Sequence, residues 1–205
     1  DVCSSDLSMP SPSHSSAYQT LRPWQEEFVR NYLSEPRAKS LLVAATGTGK
    51  TATALAAGRK MLDENHSDSF LVISDRSELR AQWQHAAERF GLDLTDSIDA
   101  IIGCDGASAT LQSLRLRAST PSFHSAATGK RWFIVADEMA RQSSSAADIV
   151  DRMLTLNSGS KALFIASHVP RDLSFEAEFN FRSEFILNRV VLESRTTEIQ
   201  ISKYA

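Results

Sequence analysis

The segment at residues 44–51, AATGTGKT, carries the most readable chemistry in the chain. It follows the phosphate-loop pattern except that Ala44 stands where the first glycine is usual. Thr46, Gly47, Thr48 and Gly49 form a turn in which the glycines let successive backbone N–H groups face a phosphate anion. The helix that follows adds the partial positive charge of its N-terminus. Lys50 is placed to reach the β- and γ-phosphates of a nucleoside triphosphate, and the Thr51 hydroxyl to ligate a bridging magnesium ion. The second constellation is Asp137-Glu138, directly after the apolar run WFIVA at 132–136. An apolar strand delivers both carboxylates at its C-terminal edge, where ligands of parallel sheets gather. Asp137 is expected to hold the metal and Glu138 to orient and deprotonate an attacking water.

These groups need a frame, and the rest of the sequence supplies one. Short apolar runs alternate with helical stretches, the signature of an α/β fold. Strands are expected at 41–45, 70–74, 132–136 and 161–167, with weaker ones at 100–102 and 107–110 around a turn at 103–106. Their apolar residues leave no polar face, so they belong in a parallel sheet covered by helices on both faces. Pro23 suits the first turn of a helix that aligns Trp24, Phe28 and Tyr32. Further helices are expected at 49–63, with Leu55, Ala56 and Leu62 inward, and at 145–156. Another places Leu79, Trp83, Ala87 and Phe90 on one side, with Asp75 and Glu78 as a capping box.

The 205 residues allow one core with extra segments, and a net charge of −3 gives no global basic excess for binding nucleic acid. No apolar run is long enough to span a membrane and no signal peptide is visible, so the expected compartment is the cytoplasm. Asp1 to Leu7, DVCSSDL, resembles the in-frame translation of a common sequencing adapter and is set aside from fold reasoning. Residues 8–16 are rich in Ser and Pro, so 1–20 is expected to be a disordered tail. Without Cys3, Cys104 is left alone and cannot make an internal disulfide.

Taken together, AATGTGKT, VADEMAR at 135–141, DRSELRAQW at 75–83 and TLQSL at 110–114 resemble superfamily 2 helicases and translocases, most closely the motor segments of type I and type III restriction enzymes. The resemblance implies a RecA-like P-loop NTPase domain at residues 21–170 that uses ATP and Mg2+ and tracks along duplex DNA. By the same resemblance LRPWQ at 21–25 is the adenine-recognising motif, with Gln25 on the base edge. Arg76 and the segment containing Thr110, Gln112 and Ser113 would contact the DNA backbone, which positions a protein without reading bases. Ser167, in the reduced motif Ile165-Ala166-Ser167, would serve as a coupling hinge. Residues 171–205 would start a connection toward a second RecA-like lobe, through two strands within EFILNRVVL at 184–192 and EIQISKY at 198–204. That lobe supplies the arginine finger in this family, so the chain alone is expected to turn over slowly; other restriction-system subunits are further implied partners.

One departure from the family stands out: Ala140 occupies the place of a usual histidine, which bears on coupling between the nucleotide and nucleic-acid sides. No nuclease motif is visible. Two readings from other classes stay open. A P-loop phosphotransferase acting on a small substrate accounts for the loop and the acidic pair, yet leaves LRPWQ, DRSELRAQW and TLQSL unexplained. A nucleotide-binding fragment without turnover is favoured by Ala140.

Overall fold

The computed structural model describes residues 20–34, 38–138, 143–167 and 181–185. Helix α1 (Pro23–Ser34) leads into strand β1 (Lys39–Ala44), helix α2 (Lys50–Asp63) and strand β2 (Ser69–Ser74). Helix α3 (Ser77–Glu88), strands β3 (Leu94–Thr95) and β4 (Gly106–Thr110), and helices α4 (Leu111–Arg117) and α5 (Pro121–Ala127) follow. Strand β5 (Trp132–Asp137), helix α6 (Ser143–Leu156), strand β6 (Lys161–Ala166) and strand β7 (Phe181–Phe185) complete the described elements. The strands form one sheet in the order β3-β4-β2-β5-β6-β1-β7, and every pair is parallel.

Alternation along each strand divides the core in two. Leu42, Phe70, Val72, Phe133, Val135, Leu163 and Ile165 pack beneath α1, α2 and α3, with Trp24, Phe28, Tyr32, Leu55 and Trp83. Leu41, Val43, Leu71, Ile73, Ile134 and Phe164 face the other way, onto residues of α4, α5 and α6 such as Leu114, Phe123, Val150 and Met153. Strands apolar in both phases are thus a sheet buried on both faces, as the sequence predicts. Gly58 brings α2 close to the sheet: a Cβ there would lie 3.2 Å from the Phe70 ring and 3.3 Å from the Phe133 ring.

Several local expectations are corrected. The run at 100–102 is not a strand: residues 98–100 form a 3-10 turn in which Ile98 and Ile101 are buried and Ile102 is 96% exposed. A three-residue spacing suits that turn and defeats strand alternation. The paired strand on that side is β3, next to β4. Helix α3 begins at Arg76 as N-cap with no side-chain cap bond, so Asp75 and Glu78 make no capping box. Helix α5 was missed, although Thr120 at its N-cap accepts from Phe123 N–H and Pro121 occupies its first position. Phe181–Phe185, inside the expected connection, pairs with β1. The strand expected at 198–204, the tail at 1–19 and Ala140 lie outside the described residues. No helix among the described residues is long and apolar enough to cross a membrane.

Candidate functional site

Parallel strands point their C-terminal ends to one edge, and every candidate residue after Gln25 follows such an end. Lys50 and Thr51 come after β1, Arg76 after β2, Thr110 to Ser113 at the end of β4, Asp137 and Glu138 at the end of β5, and Ser167 after β6. The order of strands groups them further. β5, β6 and β1 are consecutive in the sheet, which gathers the acidic pair, Ser167 and the phosphate loop; β2 and β4 carry the candidate nucleic-acid residues to the other side of β5.

The loop between β1 and α2 turns through Gly47 at φ 79° and Gly49 at φ 100°, a left-handed conformation that L side chains rarely adopt. Thr46 and Gly47 are exposed, Thr48 is buried, and Thr51 is half-buried on the first turn of α2. Lys50 Nζ donates to the carbonyls of Ala44 at 2.9 Å and Ala45 at 3.3 Å, and to Ser167 Oγ at 3.2 Å. It lies 3.7 Å from Glu138 Oε1, with a side chain only 10% exposed. Ser167 in turn donates its backbone N–H to Glu138 Oε2 at 3.3 Å, and its hydroxyl bonds Glu138 Oε1. Lys50, Glu138 and Ser167 are therefore one cluster. Glu138 itself sits at φ 51°, and its N–H donates to the Ile165 carbonyl at 2.9 Å.

Gln25 is 4% exposed. Its Oε1 accepts from Arg22 N–H at 2.7 Å and its Nε2 donates to the Gly49 carbonyl at 3.0 Å, while the Arg22 guanidinium donates to the Thr48 carbonyl at 3.3 Å. The LRPWQ segment is thus fastened to the phosphate loop.

Asp137, the last residue of β5, continues the Phe133 and Val135 phase and so faces α3. Its Oδ2 accepts from the Trp83 indole N–H at 2.7 Å. Burial pushes the Asp137 carboxyl up to about 6; Glu138 and Asp75 add to the rise, while the Trp83 hydrogen bond and Lys50 oppose it. Sequence reasoning placed Trp83 in the core without giving it this partner. The available signal was that a buried indole N–H needs an acceptor.

The outer residues are arranged differently. Arg76 is 74% exposed, with Nε 3.6 Å from Asp75 Oδ2. Thr110 caps α4 by accepting from Ser113 N–H at 3.2 Å, and Ser113 Oγ returns a bond to the Thr110 carbonyl at 2.9 Å. Gln112 is exposed. Between the two halves lies a cavity of about 410 Å³ lined by Asp75, Arg76, Glu78, Leu79, Gln82 and Glu138, so Arg76 and Glu138 border the same space.

The model of the family described as "Type III restriction enzyme, res subunit" matches residues 18–157, more than half of the chain. The chain belongs to that family. Solved structures similar to this res-subunit family member include the Hef helicase domain of Pyrococcus furiosus, at a TM-score of 0.70 and 16% identity, covering 82% of this chain and 38% of that one. The SWI2/SNF2 ATPase core of Sulfolobus solfataricus in complex with dsDNA matches at 0.56 and 19% identity, over 80% of this chain and 37% of that one. The UvsW helicase of bacteriophage T4 matches at 0.58 and 16% identity, over 80% and 59%. The fold is accordingly the RecA-like motor fold of superfamily 2 helicases. An uncharacterised protein of Mycobacterium tuberculosis is 35% identical over 74 residues, 36% of this chain and 12% of that protein. One of Mycobacterium leprae is 34% identical over 74 residues, with the same coverage. The match spans a small part of these relatives.

Proposed function

We propose that the chain is the ATP-binding motor domain of a DNA helicase or translocase, cytoplasmic and part of a restriction-type system. The observation that carries this reading is the Lys50, Glu138 and Ser167 cluster, formed where three neighbouring strands end. Helicase-type ATPases use ATP and Mg2+, and the donor set here suits that pair. A loop held open at Gly47 and Gly49 offers N–H groups to phosphate, Lys50 an ammonium, Thr51 a hydroxyl and Asp137 a carboxylate. Thr46 and Thr48 complete the loop.

Thr51 and Asp137 would hold magnesium, which when bound draws charge from the phosphate oxygens. Lys50 leaves its carbonyl and hydroxyl partners and turns to the β- and γ-phosphates. Glu138, free of the metal, accepts the proton of the attacking water at a carboxylate oxygen. Ser167 contacts Glu138 and Lys50 together, which supports a coupling role. Gln25 holds the loop through Gly49 and offers its remaining amide hydrogen to the adenine edge.

Duplex DNA is the proposed track, met by Arg76 and by Gln112, Thr110 and Ser113, with the charge contributed locally because the chain as a whole is acidic. Residues 21–170 are the ATP-binding unit and 171–205 lead toward a second RecA-like lobe, whose arginine completes the γ-phosphate site. An arginine finger is worth about 10³ to 10⁵ in rate, so turnover by the chain alone is slow. Other restriction subunits are further partners.

The test is titration with a fluorescent ATP analogue, comparing the chain with Lys50→Ala. The variant is expected to lose binding; equal affinities would refute the assignment.

A further inference from the structure

Asp137 closes a strand whose inward residues on its side, Phe133 and Val135, are fully buried against α1 to α3. A carboxylate in that phase has little water to turn to: Asp137 is 8% exposed and Trp83 is 2% exposed. The indole nitrogen is a donor only, and at 2.7 Å it meets Oδ2 of Asp137. Lys50 is not the group that holds this carboxylate, because its ammonium is given to the Ala44 and Ala45 carbonyls and Ser167.

The donor is also rigidly mounted. Trp83 lies in the middle of α3, with Ala87 and Phe90 buried beyond it. The Ser108 hydroxyl of β4 donates to the Arg80 carbonyl of α3 at 3.2 Å, which ties the helix to the sheet one turn before Trp83. A hydrogen-bond donor on a fixed helix sets the direction of the acceptor it touches.

We propose that Trp83 is the positioning residue for Asp137: its indole N–H holds one carboxylate oxygen and so fixes the direction in which the other is presented to a cation. This rests on the Mg-ATP reading above and adds a residue to it. Phenylalanine at this position would keep an aromatic ring in the core and remove the donor. The carboxylate would then be free to rotate and would present its oxygens less often in the arrangement a metal needs.

The test measures ATP affinity in excess Mg2+ and in EDTA, for the wild type and Trp83→Phe, with a fluorescent ATP analogue. The ratio of the two affinities isolates the metal's contribution. It is expected to fall about tenfold in the variant, the low end for loss of a group that orients a metal ligand, while affinity in EDTA stays within about twofold. An unchanged ratio, with normal ATP binding, would overturn the role given to Trp83 and leave the nucleotide site standing. No ATP binding by the wild type would overturn the nucleotide reading and this proposal with it. Should Trp83→Phe not fold, the wild type decides: the Trp83 indole N–H resonance must move when Mg2+ is added to the ATP-bound chain, and a stationary resonance overturns the proposal.

Discussion

The side-chain amide of Gln25 donates to the Gly49 carbonyl at 3.0 Å, and a Cβ added at residue 49 would fall 2.6 Å from that same Nε2. The first helix and the phosphate loop are therefore fitted to each other at a position that tolerates only glycine. Gly49→Ala meets two obstacles, the contact with Gln25 and a φ of 100°, and is expected to cost about 1–3 kcal/mol of stability together with most of the ATP affinity. Adding Gln25→Ala should relieve the first obstacle and not the second. The double variant is then less destabilised than the two single losses added together, a coupling that chemical unfolding of all four proteins measures.

Asp137 gives a pH prediction with a definite sign. Its carboxyl titrates near 3.8 when unperturbed and at about 6 in the fold, raised mainly by burial. A raised pKa contributes stability that is present below the unfolded value and is lost as pH rises through the folded one. At neutral pH the ion is therefore a burden on the order of 3 kcal/mol. Asp137→Asn, which keeps an oxygen for Trp83, should stabilise the nucleotide-free chain at pH 7, and its advantage should narrow as pH falls from 6 toward 4. A gap that widens toward acid would contradict the burial argument.

Thr110 and Gln112 should separate under mutation although they are near neighbours. Thr110 Oγ1 caps α4, so Thr110→Val should cost about 1 kcal/mol, read as a lowered Tm. Gln112 is exposed, and Gln112→Ala should leave Tm unchanged while weakening duplex binding regardless of sequence. Arg76→Ala should behave like Gln112→Ala and also flatten the salt dependence of binding, because a phosphate-neutralising charge is removed.

Ser167→Ala removes a hydroxyl shared by Lys50 and Glu138. Lys50 then has one fewer partner to leave when phosphate arrives, so ATP affinity should hold steady or rise a few-fold. Turnover in a complete two-lobed protein should fall, because Glu138 is less constrained. Weaker ATP binding by this variant would mean that the hydroxyl supports the loop itself.

The parallel sheet was legible because its strands are apolar in both phases, a pattern that a half-exposed sheet cannot carry. The phosphate loop was legible because glycine, lysine and threonine at that spacing have few other uses between a strand and a helix. Contacts that depend on which strands are neighbours were not. Nothing local to Ser167 announces Lys50 or Glu138, because they meet only when β6 is seated between β5 and β1. Gln25 is expected on the adenine edge by resemblance alone; its burial and its bond to Gly49 were not legible, because Gly49 lies in the loop beyond β1. The strand expected at 100–102 failed because the buried apolar side chains there, Ile98 and Ile101, stand three residues apart, the spacing of a tight turn, while Ile102 faces solvent.

The seat of β1 bears on how this chain is made. β1 runs from Lys39 to Ala44, yet its two neighbours are β6 and β7, at Lys161–Ala166 and Phe181–Phe185. At ribosomal speeds of about 5–20 residues per second, the strand leading into the phosphate loop waits on the order of ten seconds for its first partner. During that interval both backbone edges at Leu41, Leu42 and Val43 lack their native strand partners. The native sheet around the candidate nucleotide site is accordingly completed only after the late strands β6 and β7 are made.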